Sequence, residues 1–121
     1  MCGIALVLGG AMTADDRQRF DAMVAGIAPR GESLETERGP DALLATSRLK
    51  IVDREHARQP WQDASGRWSL CYNGEVFNHG ELRERLAAEG RHLRSVSDTE
   101  VVLEAWLAWG EEALTAFRGE F

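Results

Sequence analysis

Directly behind Cys2, the residues Gly3-Ile-Ala-Leu-Val-Leu8 form one continuous apolar run with β-branched members, closed by Gly9-Gly10. This run constrains the fold more than any other feature of the chain. It is far shorter than the ~20 residues that span a bilayer as a helix, and it reads as a strand buried on both faces. The chain then has to supply cover for each face. Only Met1 stands before Cys2, with no basic n-region, so the run does not read as a secretory signal or as a lipoprotein leader.

The rest of the chain alternates helix and strand signals. Thr13 with Asp16 three residues on resembles a capping box with Asp in place of Glu. Behind it Phe20, Met23, Val24 and Ile27 give one apolar helical face for core packing, and Pro29 ends the helix. Residues 30 to 41 are polar and rich in Gly, Pro and Glu, and read as a loop. Leu43 to Val52 and Trp68 to Phe77 read as strands around a turn-prone stretch with Pro60, Asp63, Ser65 and Gly66. Asn78 can cap a helix from about His79 to Glu89, stopped by Gly90. A brief strand is expected around His92 to Val96. Ser97 and Glu100 then form a capping box for a helix to about Trp109, followed by Gly110 and a last short helix carrying Leu114 and Phe117. Strands flanked by helices place the chain in the α+β class, and 121 residues make one domain at most.

Charge narrows the partners. The formal net charge is −6, and the arginines are scattered among acids, as in Glu81-Leu-Arg-Glu-Arg85. A surface for nucleic acid or an anionic membrane needs clustered Lys and Arg, so neither is an expected partner. The two cysteines, Cys2 and Cys71, read as free thiols in a reducing cytoplasm. His56, His79 and His92 have no metal-ligand spacing with each other or with the cysteines, so no metal site is expected. Trp61, Trp68, Trp106 and Trp109 read as core and rim packing, and Cys71 as a small core residue.

The chemistry starts at Cys2. Methionine is generally removed before a small residue, which leaves one residue carrying both a thiol and a free α-amine. With a reference pKa of ~7.7–8.0 such an amine is a built-in general base for the most nucleophilic side chain available. Taken singly, the other polar features have ordinary explanations. Asn73-Gly74 suits a hairpin turn, Arg48 a surface charge and Asp98 the first-turn acid of a helix.

Their order along the chain changes the reading. Cys2-Gly3-Ile4 comes first, then Arg48-Leu-Lys-Ile-Val-Asp53 with Gln59-Pro60, then Asn73-Gly-Glu-Val-Phe-Asn78 with His79 and Glu81-Leu-Arg83. Ser97-Asp-Thr-Glu100 follows, and Trp109-Gly110 with Gly119-Glu-Phe121 closes the series. These motifs cover nearly the whole chain, which resembles the class II glutamine amidotransferases, specifically the asparagine synthetase branch. The resemblance implies an αββα sandwich of the N-terminal nucleophile hydrolase type, incomplete at its C-terminus because Phe121 falls where a central strand should begin. It implies hydrolysis of L-glutamine to glutamate and ammonia through a γ-glutamyl thioester on Cys2. The Asn73 side-chain amide and the Gly74 N–H would hold the oxyanion. Arg48 would grip the glutamine carboxylate, with Asp98 and Glu75 facing its ammonium.

The resemblance further implies a synthetase domain or subunit as partner. No cofactor is expected in this chain, and ATP and magnesium belong only to that missing domain. A homodimer stays open, and so does a non-catalytic module that binds glutamine or a partner without turnover. One departure is notable: the family's His-Arg-Gly-Pro-Asp is replaced by two partial copies, Pro29-Arg-Gly-Glu-Ser33 and Glu37-Arg-Gly-Pro-Asp41. The first suits the position after the helix and is the favoured equivalent, with Arg38 to Asp41 read as loop.

Overall fold

The computed structural model describes residues 2–49 and 58–121, which form two compact units. The expected strand extension beyond residue 49 and the Asp53 and His56 positions lie outside the described residues.

The first unit contains residues 2–49, Arg58–Pro60 and Cys71–Asn73. Its sheet is three-stranded and antiparallel in the order β1-β3-β2, with β1 at Gly3–Leu8, β2 at Ser33–Arg38 and β3 at Ala42–Arg48. Helix α1, Ala14–Ile27, lies on one face and continues into a 3-10 turn at Ala28–Arg30. Its start is the capping box read from the sequence. The Asp16 N–H donates to Thr13 Oγ1 at 3.1 Å, and the Thr13 N–H donates to Asp16 Oδ2 at 3.0 Å. Cross-strand partners Ala5 and Ala45 share the α1 face with Val7 and Leu43. There Ala5, Phe20, Leu43 and Ala45 form a core packed further by Val7, Met12, Val24 and Ile27.

Three expectations change in this unit. The β1 run is apolar throughout yet covered on one face: Ala5 is buried, whereas Ile4, Leu6 and Leu8 are 39%, 44% and 67% exposed. Alternation of side chains about the pleat puts these three opposite α1. Met23 is also exposed, so the helix stripe is narrower than read. Residues 33–38, read as loop, are the edge strand β2. Their polar composition hid it, because every second side chain of Ser33-Leu-Glu-Thr-Glu-Arg38 is exposed and the backbone pairing to β3 holds the segment.

The second unit includes Trp61–Leu70 and Gly74–Phe121. Strands β4, Trp61–Gln62, and β5, Ser69–Leu70, form a short hairpin. Strands β6, Glu75–Val76, and β7, Gly119–Glu120, pair antiparallel. Helices α2, His79–Ala88, α3, Asp98–Trp109, and α4, Glu112–Ala116, pack in chain order around Val76, Leu82, Leu86, Val101, Leu103, Ala105 and Ala113, all buried. The mixture of antiparallel sheets and segregated helices is of the α+β kind. No helix among the described residues is long and apolar enough to cross a membrane.

The single strand expected over 68–77 is instead the separate pieces β5 and β6, because residues 71–74 leave the ladder. The Tyr72 N–H is taken by the Gln59 side chain, at 2.8 Å to Oε1, rather than by a neighbouring strand. The strand expected over 92–96 is absent for a related reason: the Arg94 and Ser95 N–H groups donate to the Glu100 carboxylate. Glu100 is thereby diverted from the expected capping box. Ser97 still caps α3, accepting the Thr99 N–H at 3.1 Å, while the Ser97 N–H goes to Ser95 Oγ. Asn78 likewise makes no side-chain cap to α2.

Candidate functional site

The six residues singled out from the sequence fall in both units. Cys2, Arg48 and Asn73 belong to the first; Gly74, Glu75 and Asp98 belong to the second.

In the first unit, Cys2 is held at the start of β1 by its register with β3, which pairs Gly3 with Ser47. Its half-buried thiol receives the Leu49 N–H at 3.4 Å from Sγ. Arg48, the neighbouring residue, is 5% exposed at the end of β3. Two glycines allow this packing. A Cβ on Gly3 would stand 2.8 Å from Ile27 Cβ and 3.0 Å from Arg30 Cδ. A Cβ on Gly31 would stand 2.5 Å from both the carbonyl carbon and oxygen of Arg48. The 3-10 turn therefore rests on the strand ends that carry Cys2 and Arg48, and the Glu32 N–H fixes it by donating to the Arg48 carbonyl at 2.9 Å.

The two partial arginine-glycine copies thus occupy different places. Arg30-Gly31 lies against Gly3 and Arg48. Arg38 ends β2, where its guanidinium pairs with Asp21 of α1 at 2.6 Å and lies 4.9 Å from the Phe20 ring centroid. Asn73 is half-buried and follows Tyr72, whose backbone the buried Gln59 side chain secures. Gln59 appeared in the sequence only as part of a Gln-Pro motif, and nothing in the pattern disclosed that its amide would support the segment leading to Asn73.

In the second unit, Gly74 is exposed but its Cα faces the chain end: a Cβ there would meet Glu120 O and Phe121 Cβ, each at 2.5 Å. The absent side chain is what admits β7 beside β6. Asn78 clasps the same pairing. Its Nδ2 donates to the Ala116 carbonyl at 3.0 Å and its Oδ1 accepts the Arg118 N–H at 2.9 Å. The residue read as a helix cap is a bridge between the Asn73–Asn78 motif and the chain end. Asp98, 6% exposed at the first turn of α3, accepts the Val76 N–H at 3.1 Å through Oδ2. This bond brings Asp98 to the strand that carries Glu75, itself half-buried.

Burial pushes the Cys71 thiol up from its ordinary range, which disfavours the thiolate that a nucleophile requires. Among the described residues, no group of three or more His, Cys, Asp or Glu side chains could hold a metal ion.

Comparison with known proteins adds the family. The family model for a glutamine amidotransferase domain matches residues 1–121. The chain belongs to that family. Asparagine synthetase [glutamine-hydrolyzing] 1 of Bacillus subtilis (strain 168) is 34% identical to this amidotransferase domain over 125 residues, covering 100% of the chain and 20% of the relative. Asparagine synthetase [glutamine-hydrolyzing] 3 of the same organism is 32% identical over 125 residues, again with 100% and 20% covered. A probable asparagine synthetase [glutamine-hydrolyzing] of Dictyostelium discoideum is 31% identical over 124 residues, with 100% and 22% covered. The chain thus spans about a fifth of the length of the curated relatives it matches.

Proposed function

We propose that this domain is a glutaminase that hydrolyses L-glutamine to glutamate and ammonia and supplies the ammonia to an asparagine-synthetase-like partner. The observation that carries the reading is the junction of Cys2 with the end of β3, where the thiol receives the Leu49 N–H next to Arg48. A nucleophile and a cation for the substrate carboxylate are thereby fixed on paired strands, a rigid support for a positioned reaction.

In the proposed reaction, removal of Met1 frees the Cys2 α-amine, which accepts the thiol proton as sulfur attacks the side-chain amide carbon of glutamine. The tetrahedral oxyanion is held by the Asn73 amide and the Gly74 N–H. Collapse breaks the C–N bond, the amine returns its proton to the leaving group, and ammonia departs from a γ-glutamyl thioester. Water then adds to the thioester carbon, with the amine again accepting a proton, and the thiol is released with glutamate. Arg48 grips the substrate carboxylate; Asp98 and Glu75 face its ammonium. Arg30-Gly31, lying against Gly3 and Arg48, is the equivalent of the family's arginine-glycine pair.

The same reading assigns the chain to the αββα sandwich of the N-terminal nucleophile hydrolases, working in the cytoplasm beside a synthetase domain or subunit that uses ATP and magnesium. The test is paired substitution. Cys2→Ala should abolish glutamine-dependent ammonia release, and Cys71→Ala should leave most of it; equal losses in the two variants would reject Cys2 as the nucleophile.

A further inference from the structure

Among the described residues of the second unit Glu100 is the most completely buried acid, 1% exposed, and the reaction proposed above does not use it. Both of its oxygens are engaged by the loop in front of α3. Oε1 accepts the Arg94 N–H at 2.8 Å; Oε2 accepts the Ser95 N–H at 2.6 Å and the Ser95 hydroxyl at 2.7 Å. The Arg94 guanidinium adds a longer ionic contact, 3.7 Å from Nε to Oε1. A buried carboxylate so surrounded is costly to place and costly to disturb. Its effect runs forward along the chain. Ser95 Oγ receives the Ser97 N–H at 3.3 Å, Ser97 Oγ receives the Thr99 N–H at 3.1 Å, and the residue between them is Asp98. Asp98 in turn reaches the Val76 N–H on β6. The Arg83 guanidinium, 3.4 Å from the Ser97 carbonyl, ties the same turn to α2.

We propose that Glu100 is a positioning residue for glutamine recognition: it fixes the Arg94–Ser97 loop so that the first turn of α3 holds Asp98 against β6, beside Glu75. This rests on the reading that Asp98 faces the substrate ammonium. A plain helix cap needs only Ser97, and Glu100 in its ordinary capping role would return to the Ser97 N–H. Here that N–H is served by Ser95, which leaves the carboxylate to order the loop. The demand is for two acceptor oxygens, because backbone N–H donors approach both. Glutamine is nearly isosteric yet must turn its NH2 group toward one of these donors.

The test is calorimetric titration of L-glutamine into the full chain carrying Cys2→Ala, which blocks turnover, with a thermal melt of each variant. Glu100→Gln should weaken Kd about tenfold, the scale of losing one hydrogen bond to a charged group. Ser95→Ala should weaken Kd in the same direction by a smaller factor, and keeps the question answerable where Glu100→Gln does not fold. Asp98→Asn should weaken Kd as well, and adding Glu100→Gln to it should weaken Kd little further, since Glu100 acts through Asp98. A lower melting temperature with unchanged Kd in both Glu100→Gln and Ser95→Ala would assign Glu100 a purely structural role and overturn the proposal. So would full additivity with Asp98→Asn. Absence of glutamine binding to the parent chain, or an Asp98→Asn variant that binds as the parent does, would instead sink the underlying site assignment and the proposal with it. An intact Asp98 effect with no Glu100 effect rejects the proposal alone.

Discussion

Gly31→Ala is a one-methyl perturbation with a calculable consequence. The backbone at Gly31 is extended, with φ −140° and ψ 176°, so alanine adopts it without strain and the effect is steric. The added Cβ would stand 2.5 Å from the Arg48 carbonyl carbon and oxygen and 2.7 Å from its nitrogen. Ordinary van der Waals contact begins near 3.4 Å, so the two backbones must separate by about 0.9 Å, from 3.4 − 2.5. No flexible side chain can absorb this, because all three contacts are backbone atoms in a strand. Overpacking of this kind costs about 1–3 kcal/mol of stability. The displacement also exceeds the ~0.5 Å tolerance of a working site, and misplacement near 1 Å costs on the order of 100-fold in rate. Glutaminase turnover should therefore fall by about that factor, with a lower melting temperature. Gly26→Ala is the matched control: it lies in α1 with nothing within 4 Å of the new Cβ. It should raise stability by about 0.5–1 kcal/mol through helix propensity and leave turnover unchanged. Full turnover and an unchanged melt in Gly31→Ala would refute the argument that this contact sets the Arg48 position.

Other outcomes are equally specific. The oxyanion role proposed for the Asn73 amide predicts that Asn73→Ala lowers turnover by about 10²–10³ with little change in glutamine binding; a change confined to KM would contradict that role. Asp63 is held at about 2 chiefly by the Ser65 hydroxyl, then by the Trp68 and other backbone N–H groups. Its folded value lies below the ordinary 3.8, so its contribution to the β4–β5 hairpin is present above about pH 4 and is lost as pH falls toward 2. Protection of the Trp68 amide, taken relative to its intrinsic exchange rate at each pH, should fall across that window, and Asp63→Asn should remove that fall. Reaction of an alkylating reagent with the chain at pH 8 should modify Cys71 more slowly than a free cysteine, as burial raises its thiol; peptide mapping that shows ordinary reactivity would contradict this.

Local signals carried the first half of the fold well. The bounds of β1, the α1 capping box and the end of α1 all follow from residue types whose preferences are decided within a few residues, and the structure has them there. The readings that changed share a different cause. Strand β2 is polar and exists through its ladder with β3, a partner across a turn. The strand read at 92–96 lost its backbone donors to Glu100, a side chain read as serving its own helix. Asn78 and Gln59 were visible as motif letters, but their amides act on backbone at Ala116, Arg118 and Tyr72, which no spacing rule connects to them. The candidate site residues could be named from the sequence because each sits in a dense motif. Their physical support is long-range and needed the fold.

The most direct measurement is mass spectrometry of the chain quenched in acid during turnover of L-glutamine, with peptide mapping of the adduct. The mature protein should lack Met1 and carry one γ-glutamyl group on the Cys2 thiol, labile to hydroxylamine and absent from Cys2→Ala. An adduct on Cys71, or ammonia release with Met1 retained and Cys2 unmodified, would contradict the account.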